Sequence, residues 1–202
     1  MDAADRAGYR RSAGSKRGEA RRRELLERVT DDLAENGLVD FSLRRAARAA
    51  GTTHKVLLYH FAGADDLLTQ AVVQLRERRI AKSLAAATEG TERRPLADWV
   101  RAVWPILVGA EARVLDQAIG LAIYDPDRYA SLGREASQQY LPTLLAVCPP
   151  RWSEARKLEV AEMMLAALRG FLVDARTSGD RAGIAAGFEA LARALEREEA
   201  AG

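Results

Sequence analysis

Apolar positions recur along the chain at three- and four-residue steps, the spacing of one face of an α-helix, and β-branched residues are scarce beside Ala, Leu, Glu and Arg. Leu25, Leu26, Val29 and Leu33 predict a helix over residues 18–36, with Asn36-Gly37 as its stop and Leu38 and Phe41 covering the end of the stripe. Ser42 can cap a short helix bearing Leu43, Ala46, Ala47 and Ala50, and Gly51 stands where such a helix ends in a left-handed residue. Thr52 and Thr53 can cap a second short helix over 54–60, so residues 42–60 read as helix, Gly-containing turn, helix. From Ala64 a long helix follows through Leu67, Leu68, Ala71, Val72, Leu75, Ile80 and Leu84. Glu89-Gly90-Thr91 and Arg93-Arg94-Pro95 mark a loop before a helix over 96–108, in which Pro105 predicts a kink. An apolar helix over 111–123 ends at Tyr124-Asp125-Pro126, where Asp125 can cap a helix that Pro126 opens. That helix is expected to be interrupted at Gly133 and Pro142, to point Tyr129, Tyr140 and Leu144 inward and to stop at Pro149-Pro150. Ser153 caps a helix to residue 176, and a turn at Thr177-Ser178-Gly179-Asp180 leads into a last helix through Leu195. About nine helices and no strand make an all-α chain.

The helix after Ser153 is apolar on more than one side. Leu158, Ala161, Leu165, Leu168 and Leu172 form one stripe, and Val160, Met163, Met164, Ala167 and Phe171 another. A surface helix needs only one stripe, so the second calls for a partner. The last helix adds Ile184, Phe188, Leu191 and Leu195 beside small residues at Ala185, Gly187 and Ala192. A homodimer through Met163, Ala167, Leu168, Phe188, Leu191 and Leu195 is one reading; an intrachain core pair is the other.

The short helix over 54–60 carries unusual chemistry for its length. With Val56, Leu57 and Phe61 inward, Thr53, His54, Lys55, Leu58, Tyr59 and His60 are left outward or sideways, and the hydroxyl, imidazole, ammonium and phenol groups among them suit phosphates and base edges. These residues resemble the N-terminal domain of the TetR family of bacterial transcriptional repressors. The family's short helix, Ala-Gly, Ser/Thr turn, Leu-Tyr-Tyr-His-Phe and following Leu-Leu are matched by Ala50-Gly51, Thr52-Thr53, Leu57, Tyr59-His60-Phe61 and Leu67-Leu68. The match spans residues 18–75. Leu58 departs from it where an aromatic is usual, and Ala64 where a phosphate-contacting Lys is usual.

The resemblance implies a three-helix DNA-binding domain over residues 18–63, followed by a ligand-binding and dimerisation domain over 64–202. It also implies a near-palindromic double-stranded operator, a homodimer and a repressor released by a small molecule. The expected DNA contacts are Ser42, Arg44, Arg45, Thr52, Thr53, His54, Lys55, Leu58, Tyr59 and His60. Trp99, Val103, Trp104, Leu107, Tyr124, Tyr140, Met164 and Phe171 are the candidates for a ligand site, Trp99 and Trp104 reading equally as core aromatics. A regulator that binds DNA without any ligand is the alternative, and the long helix from Ala64 is the mechanical link if a ligand acts.

Charge agrees with this division. Of the net +2, residues 1–62 hold 13 Lys or Arg against 9 Asp or Glu, and residues 63–202 hold 18 against 20. Residues 1–17 lack hydrophobic periodicity and read as a basic arm, either touching DNA or serving as a solubilising tail; eight basic residues lie between Arg6 and Arg23 against Glu19 alone. The single cysteine, Cys148, excludes an intrachain disulfide and reads as a small buried hydrophobe. Both histidines lie in the short helix, and no GxSxG, Walker or Rossmann pattern is present, so neither an enzyme nor a cofactor is expected. Asp98, Glu111 and Asp116 read either as carboxylates for a cationic ligand or as solvated surface. No apolar run approaches a membrane span and no secretory signal is read, so the location expected is cytoplasmic.

Overall fold

The computed structural model describes residues 15–87, 93–109 and 112–201. Most of the basic arm, the Glu89-Gly90-Thr91 loop and Glu111 lie outside the described residues. Within them the chain is helical without a strand: α1 (Lys16–Asn36), α2 (Leu43–Ala49), α3 (His54–His60), α4 (Ala64–Ala87), α5 (Leu96–Val108), α6 (Ala112–Tyr124), α7 (Pro126–Val147), α8 (Glu154–Thr177) and α9 (Arg181–Ala201). These elements fall into two compact units, one ending at Leu75 and one beginning at Arg76, with α4 running through the division. The first unit therefore takes in residues 64–75 beyond the boundary expected at 63.

Local hydrogen bonds explain where the helices start. Ser15, Ser42, Thr53, Asp125 and Ser153 each accept from a backbone N–H three residues on, at 3.1 to 3.4 Å. Each such cap stabilises its helix by about 1 kcal/mol. Pro95 offers α5 no such oxygen, and the Glu199 carboxylate of α9 supplies one instead, accepting from Leu96 N at 2.7 Å. Contrary to the interruptions expected at Gly133 and Pro142, α7 runs unbroken from Pro126 to Val147.

The first core joins Leu25, Val29 and Leu33 of α1 to Ala46, Leu57, Leu67, Ala71 and Val72, all fully buried. Each large aliphatic side chain among them contributes about 1.5 to 3 kcal/mol by leaving water. In the second unit α6 packs on α7, α7 on α8, and α9 on α5 and α8. Its core gathers Leu96, Val100, Val103, Ala161, Met164 and Leu195. Beside them Trp104 lies 4.9 Å from Phe188 and 6.3 Å from Phe171, centroid to centroid. Gly187 lets the Phe171 ring lie close, since a Cβ there would stand 3.0 Å from it.

Candidate nucleic-acid interface and ligand cavity

The turn between α2 and α3 is set by two backbone bonds. Gly51 N donates to Arg48 O and Thr52 N to Ala47 O, at 3.1 and 2.9 Å, with Gly51 at φ +61°. This paired closure needs a left-handed residue at its hinge, which glycine adopts without steric cost. Leu57 and Phe61 then anchor α3 inward, leaving Thr53, His54 and Lys55 exposed and Leu58 48% exposed on the other side. Ser42 and Arg44 are exposed on the adjoining α2. Thr52, Tyr59 and His60 are half-buried. Arg22 donates to the His60 carbonyl and stacks its guanidinium 4.9 Å from the Phe61 ring, which fixes the C-terminal end of α3 on α1.

His60 is held between Tyr59 and Phe61 in edge contacts, and its Nδ1 is buried with no hydrogen-bond partner. Burial first, then the Arg22 and Arg21 charges, hold its pKa below the ordinary 6.5. The folded chain thus binds fewer protons than the unfolded chain between that lowered value and 6.5. This contribution to stability is complete above 6.5 and declines as pH falls through it. Thermal melts from neutral to mildly acidic pH should show a larger fall in Tm for the native chain than for His60→Asn; parallel falls would remove His60 as the cause.

The second unit contains a cavity of about 120 Å³. One wall is α4, through Arg76, Arg79, Ile80 and Ser83; Trp99, Val103 and Leu107 of α5, Tyr140 and Leu144 of α7, and Leu165, Leu168 and Arg169 of α8 complete much of the rest. Arg76 is buried, donating to the Leu132 carbonyl and, at 3.3 Å, to Gln139 Oε1. Arg79 Nη2 donates to the Tyr140 hydroxyl at 2.6 Å, and its guanidinium lies 4.9 Å from that ring. Asp116, also in the lining, is engaged by Arg176 Nε at 2.9 Å; burial pushes its carboxyl up despite the opposing Arg176 and Arg79 charges. Among the described residues no group of three or more His, Cys, Asp or Glu could hold a metal ion, and no helix is long and apolar enough to cross a membrane.

No protein-family profile and no curated protein matches the chain. Solved structures do. A Streptomyces coelicolor protein assigned as a transcriptional regulator superposes with a TM-score of 0.65 at 22% identity, covering 86% of this chain and 96% of that one. The multidrug-binding protein EbrR, solved with imidazole, gives a TM-score of 0.64 at 20% identity, over 86% of this chain and 89% of its own. A Mesorhizobium loti protein assigned to the TetR family covers 93% of this chain and 98% of itself, with a TM-score of 0.60 at 15% identity. The fold is that of TetR-family regulators.

Within this TetR fold several expected site residues stand elsewhere. Arg45, expected at DNA, is engaged within the protein: its Nε donates to Asp32 Oδ2 and its Nη1 to the Val39 carbonyl, both at 2.7 Å, and its Nη2 to the Asp32 carbonyl, so the guanidinium ties α2 to α1. Trp99, Val103, Leu107 and Tyr140 come together in the cavity wall. Trp104 and Phe171 pack on Phe188 instead, Met164 is buried in the core, and Tyr124 is 87% exposed at the end of α6. Leu168, Phe188 and Leu195, expected at a dimer interface, are buried within the chain, in the core that α5, α8 and α9 share. Ala167 and Leu191 are half-buried and Met163 is exposed. The residues that sequence reasoning missed are Arg76, Arg79 and Arg169. A signal for the first two existed: they share the Leu68, Val72 and Leu75 face of α4 at helical spacing and lie between Leu75 and Ile80 on it.

Proposed function

We propose that the chain is a homodimeric DNA-binding transcriptional regulator, a repressor whose α3 reads a near-palindromic operator and whose second unit binds a small molecule that releases it. Exposed Thr53, His54, Lys55 and Leu58, on a helix anchored by Leu57 and Phe61, are the observation that carries this reading. A row of that chemistry on so short a helix suits base edges in a major groove, the contacts to the backbone of the duplex coming from Ser42, Arg44 and Tyr59. The TetR-type fold of the solved neighbours supports it, and such a protein performs no catalysis.

The face of α8 left uncovered supports a second copy of the chain. Leu158, Met163 and Val173 are 45%, 39% and 56% exposed there, and the exposed Ala166 and Gly170 between them are small enough for close helix approach. On α9, Ala182, Ala186 and Ala190 present a similar exposed surface. Two such helices from each subunit form a self-complementary patch of the kind a two-fold dimer needs.

The cavity favours ligand response over a regulator indifferent to ligands, because α4 supplies Arg76, Arg79, Ile80 and Ser83 to its wall and Leu67, Leu68, Ala71 and Val72 to the first core. A ligand that lowers operator affinity a hundredfold needs about 2.7 kcal/mol of preference for the DNA-free conformation. Selection from a random duplex pool tests the reading. It should enrich an inverted repeat, whereas an unenriched pool or a single asymmetric half-site contradicts a two-fold reader.

A further inference from the structure

Among the buried polar side-chain atoms without a hydrogen-bond partner, three belong to residues lining the cavity: Arg79 Nε, Arg79 Nη1 and Trp99 Nε1. All three are donors. A buried N–H without an acceptor costs free energy that an incoming acceptor would recover, and for a guanidinium the charge enlarges that gain. Arg76 and Arg169 add two further cations to the wall, Arg169 donating to Ser137 Oγ at 3.2 Å. The lining acid, Asp116, is already taken by Arg176. Glu135, whose charge acts on Arg76, lies outside the lining. Burial raises the Tyr140 pKa against the opposing arginine charges, so its phenol keeps its proton while accepting from Arg79 and can donate in turn.

We infer that the cavity is a receptor for a small organic anion, a carboxylate on an apolar body, with Arg79 and Trp99 as its head-group donors. The inference rests on the proposed ligand-responsive regulator and names the class of its effector. Val103, Leu107, Ile80, Leu165 and Leu172 enclose the apolar body. The cavity, about 120 Å³, is a little smaller than the roughly 150 Å³ that takes up a benzene, so it encloses the head group and the first few carbons of a longer chain. A cationic ligand is disfavoured by three arginines against one paired aspartate, and a doubly charged head group would lose more solvation than so apolar a lining returns.

The test uses the full-length protein with octanoate, octanamide and octylammonium, which share a chain and differ in head-group charge. Calorimetry and tryptophan fluorescence at fixed salt should rank octanoate at least tenfold tighter than octanamide, with octylammonium weakest. Arg79→Met should bring octanoate to within about threefold of octanamide, and Trp99→Phe should narrow the gap while keeping the ring. Since two of the Arg79 donors are unpaired without ligand, Arg79→Met should leave the ligand-free Tm at or above the native value, unlike the loss of a merely structural arginine. Octanoate binding no tighter than octanamide overturns the inference, as does a gap that survives either substitution. Adding the selected operator duplex separates the two readings. Octanoate that binds with the same discrimination but leaves the duplex bound keeps the anion receptor and removes the ligand-responsive regulator. Release by octylammonium or octanamide in preference to octanoate keeps the regulator and removes the anion receptor.

Discussion

Ala166→Glu and Gly170→Glu, each alone, are expected to convert the protein to a folded monomer and to weaken operator binding on the order of hundredfold or more, since one reading head then binds without the other. Both positions are exposed on α8, and a side chain at Gly170 meets nothing within 4 Å in the protomer. Neither substitution therefore has a steric reason to disturb the fold, and at position 170 replacing glycine in a helix should add roughly 1 kcal/mol of local stability. In a two-fold interface each new carboxylate meets the same patch on its partner and must be desolvated there, an unpaired burial that dimerisation cannot absorb. Sedimentation should give the mass of one chain with an unchanged far-ultraviolet spectrum. A dimer that survives both substitutions places the interface elsewhere. Phe188→Glu and Leu168→Glu are poorer probes, because those side chains are buried in the protomer core and their loss should cost several kcal/mol of folding stability before any interface is tested.

His54→Ala should reduce affinity for the selected operator while barely touching the fold, since His54 is exposed and the cap of α3 comes from Thr53. A lost base contact is worth about 1 to 3 kcal/mol, and a symmetric operator loses it twice, for a total of about 2 to 6 kcal/mol. The loss should fall on one base pair of each half-site, and sequences already altered there should show little further change. Lys55→Ala, by contrast, should weaken every duplex alike and flatten the salt dependence by about one counterion per subunit. A His54→Ala loss spread evenly over all sequences would move His54 from the base edges to the backbone.

Much of the fold was legible because its determinants are local. Ser42, Thr53, Asp125 and Ser153 cap their helices through oxygens three residues from the N–H they receive, and Gly51 closes α2 through neighbours within five residues. Nothing about these depends on what packs where. The anchoring of α3 by Leu57 and Phe61 was readable for the same reason, its turn and its two inward positions being set within a single short segment.

What escaped the sequence depends on which helix meets which. Arg45 reads as one more cation of a basic helix until α1 brings Asp32 against it. The two apolar stripes of α8 can be answered by a partner or by helices of the same chain; most of both is buried within the chain, and the face left outside mixes Leu158, Met163 and Val173 with the small Ala166 and Gly170. Aromatic residues divided in the same way, Trp99 and Tyr140 to the cavity and Trp104 and Phe171 to Phe188. The arginines of the cavity run against the expectation that inward positions are apolar, so Arg76 and Arg79 pass in the sequence as solvated cations between Leu75 and Ile80 of α4.

A hydroxyl-radical footprint of the native protein on its selected duplex tests the central claim most directly. Two α3 helices related by a two-fold axis should protect two patches on one face of the duplex, about one helical turn apart, and each patch should weaken for Lys55→Ala. One unbroken patch, or protection no different from that on a random duplex of the same length, would contradict it.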